Sequence, residues 1–422
     1  MKILFMAQCY APEDVSAAVL ITELATDLAK RGHHVTIVTG APNYPQGRIF
    51  KGYHNSFFAV ETLNDVRVIR TWSYISPSKN LWSRLLHYGT YSATAFYGGL
   101  FAGRPNVIVS YSPPLPLGLS AWLLSRIFRV PWVLQLEDLY PDAAIAAGVM
   151  TNKRVINFFM RMEKFLYRNS ERISVISKNF RQILINKGVQ SSKIETIPVW
   201  ADPDEVRPMQ KQNAFRRKYG LGEKFVVMYA GNIGVTSCLE DILHAAKILR
   251  EQKDIQFVIV GEGVRKKELE AEMQTTQLTN ILFLPFQPRE TFPEMLAAAD
   301  LSLVTLNANA SYSSLPSKIF NVMASARPIL AVTPPGSEIM QIVDEAGCGW
   351  NVPPQSPETL AVTIFQLAAC ESELIQMGRN GRICLEQHYS RNQCVDAYEK
   401  MLIALCDQTH LKKSMQEKHY ER

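Results

Sequence analysis

The chain has 422 residues, of which 47% are hydrophobic and 20% charged, and its net charge is +6. This length predicts two or three domains, and the apolar content predicts domains with substantial cores. The mild charge, with neither zinc-ligand spacing nor an RNA-recognition motif, argues against a nucleic-acid-binding protein. The seven scattered cysteines contain no CxxC pair, which is typical of a reducing compartment and predicts a cytoplasmic location.

Short apolar runs alternate with helical patterns through the first half of the chain. The N-terminus has too short an apolar core for a signal peptide and is predicted to be a buried strand, followed by a helix over 17–30 that Gly32 closes. Runs of Val and Ile without polar alternation are typical of strands buried on both faces. The alternation predicts a doubly wound parallel sheet, with strands at 2–7, 34–39, 66–72, 107–110, 132–136, 173–176 and 195–199.

Two stretches of the first half are candidates for membrane contact. Residues 85–103 are uncharged when His87 is neutral and are long enough for a span, but their Gly, Ser, Thr and Tyr content favours a buried or interfacial helix. Residues 153–187 carry nine Lys or Arg against two Glu, interleaved with aromatic residues such as Phe158 and Phe165. Such a surface suits anionic lipid headgroups, and the alternative is a solvated helix face.

A proline-containing stretch at 198–208 predicts a linker, after which the alternation restarts. Two Rossmann-like units, 1–200 and 208–388, are expected to face each other across a cleft that holds the ligand at the carboxyl ends of the strands. A last helix over about 391–408 is expected to pack back on the first unit, and 409–422 to form a flexible tail. Strands of the second unit are predicted at 225–230, 256–260, 281–284, 301–306, 329–332 and near 349–352, with helices at 239–252 and 264–273.

Two glycine-containing loops follow consecutive strands of the second unit. Gly231-Asn232-Ile233-Gly234 comes directly after 225–230, and Gly261-Glu262-Gly263 after 256–260. Glycine permits tight turns and lets backbone N–H groups approach a phosphate. Neither loop matches GxGxxG, which disfavours a nicotinamide cofactor. The alternative is that the glycines serve the turns that any α/β protein needs.

A lysine follows the predicted strand 301–306, in the first turn of a helix predicted over 317–325. Ser317 is the predicted N-cap, the apolar residues Ile319, Phe320 and Met323 fall at helical spacing, and Arg327-Pro328 ends the helix. A helix N-terminus with Lys318 beside it predicts a site for a phosphate or diphosphate. The alternative is an exposed lysine on an ordinary βαβ helix.

The order and spacing of these motifs resemble those of the family 4 retaining glycosyltransferases of the GT-B fold, over nearly the whole chain. The closest resemblance is to the subgroup that builds bacterial surface polysaccharides such as O-antigen, capsule or colanic acid. The motifs that carry it are Glu23-Leu-Ala, Gly32-His-His-Val-Thr36, Pro42-Asn-Tyr-Pro-Gln-Gly47, Asp138-Leu-Tyr-Pro-Asp142, Gly231-Asn-Ile-Gly234, Val260-Gly-Glu-Gly263, Leu284-Pro-Phe-Gln-Pro-Arg-Glu290, Pro316-Ser-Lys318 and Met323-Ala-Ser-Ala-Arg-Pro328.

The resemblance implies transfer of one sugar, with retention, from a UDP- or GDP-sugar to a polyprenyl-diphosphate-linked glycan. It implies no metal or other cofactor, because protein cations stabilise the leaving diphosphate. A lipid-linked acceptor implies peripheral association with the cytoplasmic face of the inner membrane. The alternatives are a catalytically degenerate nucleotide-sugar-binding scaffold and another enzyme of the same fold, either a GT-B sugar-nucleotide epimerase or a glycan phosphorylase. The sequence has no recognisable pyridoxal-phosphate lysine site, which argues against the phosphorylase. The sugar, base, linkage and oligomeric state stay open.

The resemblance also implies the site residues. Lys318 would stabilise the leaving diphosphate, and Asp138, with Glu137 second, would contact or deprotonate the acceptor hydroxyl, although carboxylates at a strand end are commonly solvated loop residues. The residues expected to bind the donor are Gly231, Asn232, Gly234, Gly261, Gly263, Arg265, Phe286, Gln287, Ser317, Asn321 and Glu338.

This chain departs from the family pattern at three places. Two glutamates that many relatives carry are replaced by Ser313 and Asn321, although Asn321 can still hydrogen-bond a ribose hydroxyl. The basic residue usual after the GN-x-G turn is missing at 235–237, and Arg265, Lys266 or Lys267 are candidate substitutes. The first loop, 12–18, lacks glycine. These changes bear on donor identity and on the strength of diphosphate binding.

Overall fold

The computed structural model describes residues 1–44, 46–78, 80–308 and 315–420. The chain divides into two compact units, one formed by Met1–Pro198 with the segment from Cys394 onward and the other by Val199–Gln393. The division between them falls at the start of the proline-containing stretch 198–208. Each unit is a sheet of mainly parallel strands covered by helices, as the alternation of apolar runs and helical patterns predicts.

The first unit is built on an eight-stranded sheet in the order β3-β4-β2-β1-β5-β6-β7-β8. All neighbouring strands are parallel except β3 and β4, which are antiparallel. The sheet interior is apolar, and β5 and β6 are buried along their full length. The strands are β1 (Lys2–Met6), β2 (His34–Gly40), β3 (Phe58–Leu63), β4 (Val66–Thr71), β5 (Val107–Ser112), β6 (Trp132–Leu136), β7 (Arg172–Val175) and β8 (Ile194–Thr196).

Helices connect these strands, and three of them pack side by side. Gly99 of α2 lies against Leu124 of α3, and Gly118 of α3 lies against Leu166 of α5, so small residues allow the close approach. The helices of the first unit are α1 (Ser16–Lys30), α2 (Leu81–Phe101), α3 (Leu117–Phe128), α4 (Asp142–Ala146), α5 (Lys153–Asn169) and α6 (Lys178–Asn186).

The second unit is a six-stranded sheet in the order β11-β10-β9-β12-β13-β14, parallel throughout. Because the strands are parallel, the loops that follow them emerge at one edge of the sheet. The strands are β9 (Phe225–Ala230), β10 (Ile255–Val260), β11 (Ile281–Leu284), β12 (Leu301–Thr305), β13 (Ile329–Val332) and β14 (Gly349–Val352). The helices are α7 (Ala214–Lys218), α8 (Leu239–Ile248), α9 (Lys266–Thr275), α10 (Phe292–Ala297), α11 (Lys318–Ala324), α12 (Glu338–Ala346), α13 (Pro357–Leu367) and α14 (Glu371–His388).

A buried ion pair fixes the start of the second unit to its sheet. Arg216 of α7 is 1% exposed, and its guanidinium lies 2.5 Å from Asp300, which directly precedes β12. Asp300 also accepts hydrogen bonds from the Val226 backbone N–H and from Lys211 Nζ, both at 2.8 Å. A buried charge is tolerated when it is paired and hydrogen-bonded, and the Asp300 carboxylate meets both conditions.

The chain ends in α15 (Arg391–Tyr420), whose residues from Cys394 onward belong to the first unit. Glu399 anchors the helix there, with one carboxylate oxygen 2.7 Å from Arg31 Nη1 and the other 2.7 Å from His33 Nε2. The sequence predicts a helix to about residue 408 and a tail from 409. The structure instead continues the helical backbone to Tyr420.

Candidate active site

The second unit presents a lysine beside a glycine at the carboxyl edge of its sheet. Lys318 is the first residue of α11, and its ammonium lies 3.9 Å from the centre of the Tyr229 ring. A Cβ atom built on Gly231, which has φ +151°, would lie 2.6 Å from the Lys318 Nζ. Only glycine therefore leaves room for the ammonium in this position.

The two glycine loops pack directly on each other. The Ile233 N–H donates to the Glu262 carbonyl at 2.9 Å, and the Arg265 N–H donates to the Ile233 carbonyl at 3.1 Å. A Cβ on Gly261 would lie 1.9 Å from the Gly231 carbonyl oxygen, and one on Gly263 would lie 2.2 Å from that of Ile233. The contact between the loops accounts for glycine at 261 and 263.

Most backbone donors of the 231–234 loop are used inside the protein. The N–H groups of Gly231 and Ile233 donate to carbonyls of Val260 and Glu262, and that of Gly234 donates to Ser237 Oγ, all at 2.9 Å. The loop thus holds its shape through its own hydrogen bonds, and the charge available to an anion here comes from Lys318.

The other basic residues beside the loops have carboxylate partners. Arg265 lies 2.6 Å from Glu240 and 2.7 Å from Glu268, and Lys266 Nζ lies 2.6 Å from Glu262. Within the described part of the chain, Lys318 forms no ion pair. Of the basic residues 265, 266 and 318, Lys318 is therefore the one whose charge is not neutralised by a neighbouring carboxylate.

The remaining predicted donor residues lie around the same sheet edge. Asn321 follows Lys318 by three residues on α11, and Glu338 begins α12 after β13. Phe286 is exposed, and Gln287 Oε1 accepts a hydrogen bond from the Tyr219 hydroxyl at 3.2 Å. Asn232 lies between the two loop glycines, and its carbonyl accepts from the Tyr229 hydroxyl.

Ser317 was predicted to cap α11 through its side chain, and the structure differs from that prediction. Ser313, the other replaced glutamate position, lies outside the described residues. Ser317 has helical dihedral angles, φ −61° and ψ −19°, and its side chain makes no capping hydrogen bond. An N-cap needs an extended backbone to aim its oxygen at the first turn, which explains why the capping prediction is wrong.

In the first unit, the predicted carboxylates follow β6. Glu137 is half-buried, and its Oε1 accepts a hydrogen bond from the Gln135 side-chain amide at 3.0 Å. Burial raises the pKa of Glu137 to about 7, and the hydrogen bond from Gln135 opposes that rise. Asp138, also half-buried, is the next residue along the chain. A carboxyl that titrates near neutral pH is suited to accept a proton.

The chain matches known protein families over both of its units. It matches the model described as "Glycosyl transferase 4-like domain" over residues 17–200 and the model "Glycosyl transferases group 1" over residues 211–383. It is 31% identical over 291 residues to WbjE of Pseudomonas aeruginosa, which is classed as a glycosyltransferase, and the match covers 68% of this chain and 72% of WbjE. The chain belongs to the family 4 glycosyltransferases.

Two further matches agree with this assignment. WcaI of Escherichia coli strain K12, assigned to colanic acid biosynthesis, is 28% identical over 375 residues, which cover 87% of this glycosyltransferase and 92% of WcaI. The crystal structure of Anabaena Alr3699/HepE in complex with UDP aligns with TM-score 0.72 at 16% identity and covers 96% of this chain and 100% of that one. The predicted enzyme class and GT-B fold class, with two Rossmann-like units, are confirmed.

Sequence reasoning missed a buried carboxylate in the first unit of the glycosyltransferase. Glu13, 4% exposed, accepts hydrogen bonds from the backbone N–H groups of Tyr10 at 3.2 Å and of Asn43 and Tyr44 at 2.8 Å. It thereby fixes Asn43 and Tyr44 to the loop after β1. The available signal was an acidic residue in the loop that follows a buried strand.

A basic groove opens beside this loop. Its volume is about 560 Å³. Arg48 and Lys51 form no ion pair with any other described residue, so the groove keeps a net positive charge. Its walls are formed by Pro12, Gln46, Arg48, Ile49, Phe50, Lys51 and Tyr53.

Among the described residues, neither a single helix that could span a membrane nor a metal cluster is found. No single helix there is long and apolar enough to cross a bilayer, although the bent pair α13–α14 together meets the length and composition test. No group of three or more His, Cys, Asp or Glu side chains in the described ranges is placed to hold a metal ion.

Proposed function

We propose that this glycosyltransferase moves one sugar, with retention, from a nucleoside-diphosphate donor to a lipid-linked glycan acceptor in surface polysaccharide biosynthesis. The observation that carries the donor assignment is the Lys318 ammonium, which lies against Gly231 without a carboxylate partner in the described ranges. The assignment of WcaI to colanic acid biosynthesis supports the polysaccharide pathway.

Lys318 would act on the leaving group. Sugar transfer breaks the bond between the anomeric carbon and a diphosphate oxygen, so negative charge accumulates on the diphosphate. A cation already placed at that position stabilises the transition state more than the ground state. Because this charge comes from the protein, we expect transfer to be unaffected by EDTA. The UDP complex of the Anabaena relative supports a uridine nucleotide, and a guanosine nucleotide is the alternative.

The first unit would bind the acceptor. The attacking hydroxyl must lose a proton, and Asp138 or Glu137 is proposed to accept it. The groove that contains Arg48 and Lys51 combines two cations with apolar walls. That combination suits a diphosphate attached to a hydrocarbon chain, as in a polyprenyl-diphosphate-linked acceptor.

We also propose peripheral association with the cytoplasmic face of the inner membrane through α2 and α5. The outer face of α5 exposes Phe158 and Phe165, which flank Arg161 and Lys164 along the helix, and neither cation is ion-paired among the described residues. On α2, Trp82 is 70% exposed. Exposed aromatic residues among unpaired cations favour an anionic lipid surface.

Vesicle flotation tests the membrane proposal. The protein should float with vesicles that contain anionic lipid and less with neutral ones, and the double variant Arg161→Glu/Lys164→Glu should remain in the soluble fraction. Arg250→Glu/Lys253→Glu, which reverses two charges at the same spacing on exposed positions of the second unit, is the matched control. Equal flotation of both variants would contradict the assignment of this surface.

A catalytically degenerate scaffold that binds nucleotide-sugars is the second candidate. The observation that favours it is Asn321, at a position where the family resemblance implies a glutamate, because an amide supplies no charge. Donor binding without turnover, in the presence of a competent acceptor, would support the scaffold.

Thermal-shift titration with UDP, GDP and their sugars tests the proposed donor site. A ligand that binds the folded state raises its melting temperature. A shift for one base that is largely lost in Lys318→Ala but kept in Lys266→Ala would support the site, since Lys266 is already paired with Glu262. No shift with any nucleotide would refute it.

A further inference from the structure

A buried tyrosine lies under the lysine of the donor site. Tyr229 is the fifth residue of β9 and is 1% exposed, packed in the apolar core of the second unit. Its ring faces Lys318, with the ammonium 3.9 Å from the ring centre. Its hydroxyl donates to the Asn232 carbonyl at 2.8 Å. One side chain thus contacts both the lysine and the 231–234 loop.

The ring is a specific contact for a cation. The face of an aromatic ring carries partial negative charge and attracts an ammonium within about 6 Å of the centre. Lys318 makes no ion pair among the described residues, so the ring is the electrostatic partner that the structure gives it. Gly231 also adjoins the ammonium, because a Cβ built on it would lie 2.6 Å from the Lys318 Nζ.

We propose that Tyr229 is a positioning residue that holds the Lys318 ammonium in place for the donor diphosphate through its ring face. The inference rests on the proposed function, in which Lys318 binds that diphosphate. The hydroxyl has a separate task, which is to hold the loop. A lysine side chain has four rotatable bonds, and fixing it before the donor arrives removes part of the entropy loss on binding.

A double-mutant cycle separates this role from a general effect on folding. UDP and GDP are titrated calorimetrically into wild type, Tyr229→Leu, Lys318→Ala and the double variant. Tyr229→Leu should weaken binding of the preferred nucleotide roughly 3- to 30-fold, as expected for a lost cation–π contact. In the Lys318→Ala background it should weaken binding no more than Tyr229→Phe does, because only the contact of the hydroxyl with the loop remains to be lost. Additive losses would overturn the proposal.

Phe257→Leu is the matched control. Phe257 lies on the adjacent strand β10 and is fully buried in the same core. As in Tyr229→Leu, the substitution replaces a buried aromatic ring with a leucine side chain. It should reduce stability without changing nucleotide affinity. Equal losses of affinity in both leucine variants would show that core packing, and not the ring face, determines binding.

Fluorinated phenylalanines at position 229 test the ring without disturbing the fold. Each added fluorine withdraws electron density from the ring face while its shape stays nearly constant, so affinity should fall stepwise along the series. Tyr229→Phe is the reference, because it removes the hydroxyl and keeps the ring. A flat series, or a loss in Tyr229→Phe as large as in Tyr229→Leu, would contradict the proposal.

A failure of the inference differs from a failure of the proposed function. If wild type and Lys318→Ala bind the nucleotide equally, the donor site itself is wrong, and the inference is wrong with it. If Lys318→Ala alone loses affinity and the position-229 variants do not, the proposed function stands and Tyr229 has no positioning role.

Discussion

A methyl group added at Gly261 should separate the two loops of the donor site. The new Cβ would lie 1.9 Å from the Gly231 carbonyl oxygen, whereas ordinary contacts begin at 3.4 Å. A movement that large breaks the hydrogen bonds from the Ile233 N–H to Glu262 and from the Arg265 N–H to Ile233. Each is worth about 1 kcal/mol net, and with strain we expect Gly261→Ala to lower the free energy of unfolding by about 2–4 kcal/mol.

Gly220→Ala is the control for the backbone effect of losing a glycine. Gly220 has φ +63°, and nothing lies within 4 Å of a Cβ built there, so the substitution should cost about 1 kcal/mol through strain alone. Urea unfolding of both variants, with UDP and GDP titrations, measures the difference. Equal unfolding free energies, or unchanged nucleotide affinity in Gly261→Ala, would refute the assignment of Gly261 to contact between the loops.

Three further predictions follow from charged groups. Asp300→Ala leaves the buried Arg216 guanidinium without its partner and should lower the free energy of unfolding by about 3–5 kcal/mol in urea titration. Burial raises the pKa of Glu137 to about 7, so the folded protein binds a proton that the unfolded chain releases near 4.5. Stability should therefore fall as pH rises from about 4.5 to 7, and less so in Glu137→Gln. Arg265→Ala should change nucleotide affinity far less than Lys318→Ala does, because Arg265 is already paired with two carboxylates.

Buried parallel strands were predictable because they are unbroken apolar runs. The predicted strands at 225–230, 281–284 and 329–332 agree with β9, β11 and β13 to the residue. The helix that carries Lys318 was predicted over 317–325 and is observed as α11, Lys318–Ala324. Local sequence pattern decides such elements, since burial on both faces requires continuous hydrophobicity.

The edge strand β3 was missed because four of its six residues are exposed and it lacks a long apolar run. It pairs antiparallel with β4 through a turn in which Asn64 and Asp65 have φ of 51° and 62°. Asn and Asp tolerate this left-handed conformation and are typical of two-residue hairpin turns. The turn was therefore a readable signal for the hairpin.

The electrostatics of the donor site could not be predicted from local pattern. Arg265 is neutralised partly by Glu240, which is brought to it by the packing of α8 beside α9. The Lys318–Tyr229 contact joins residues that lie far apart in sequence and become neighbours only when β9 and β12 pair. Motif order identified the lysine, whereas its partners depend on tertiary structure.

The rate of sugar transfer in Lys318→Ala tests the central claim most directly. With the donor that gives the thermal shift and a lipid-linked acceptor, turnover is compared among wild type, Lys318→Ala and the paired-lysine control Lys266→Ala. If Lys318 stabilises the leaving diphosphate, its removal should lower kcat roughly 10²- to 10³-fold while the control stays near wild type. Wild-type turnover in Lys318→Ala would contradict the account.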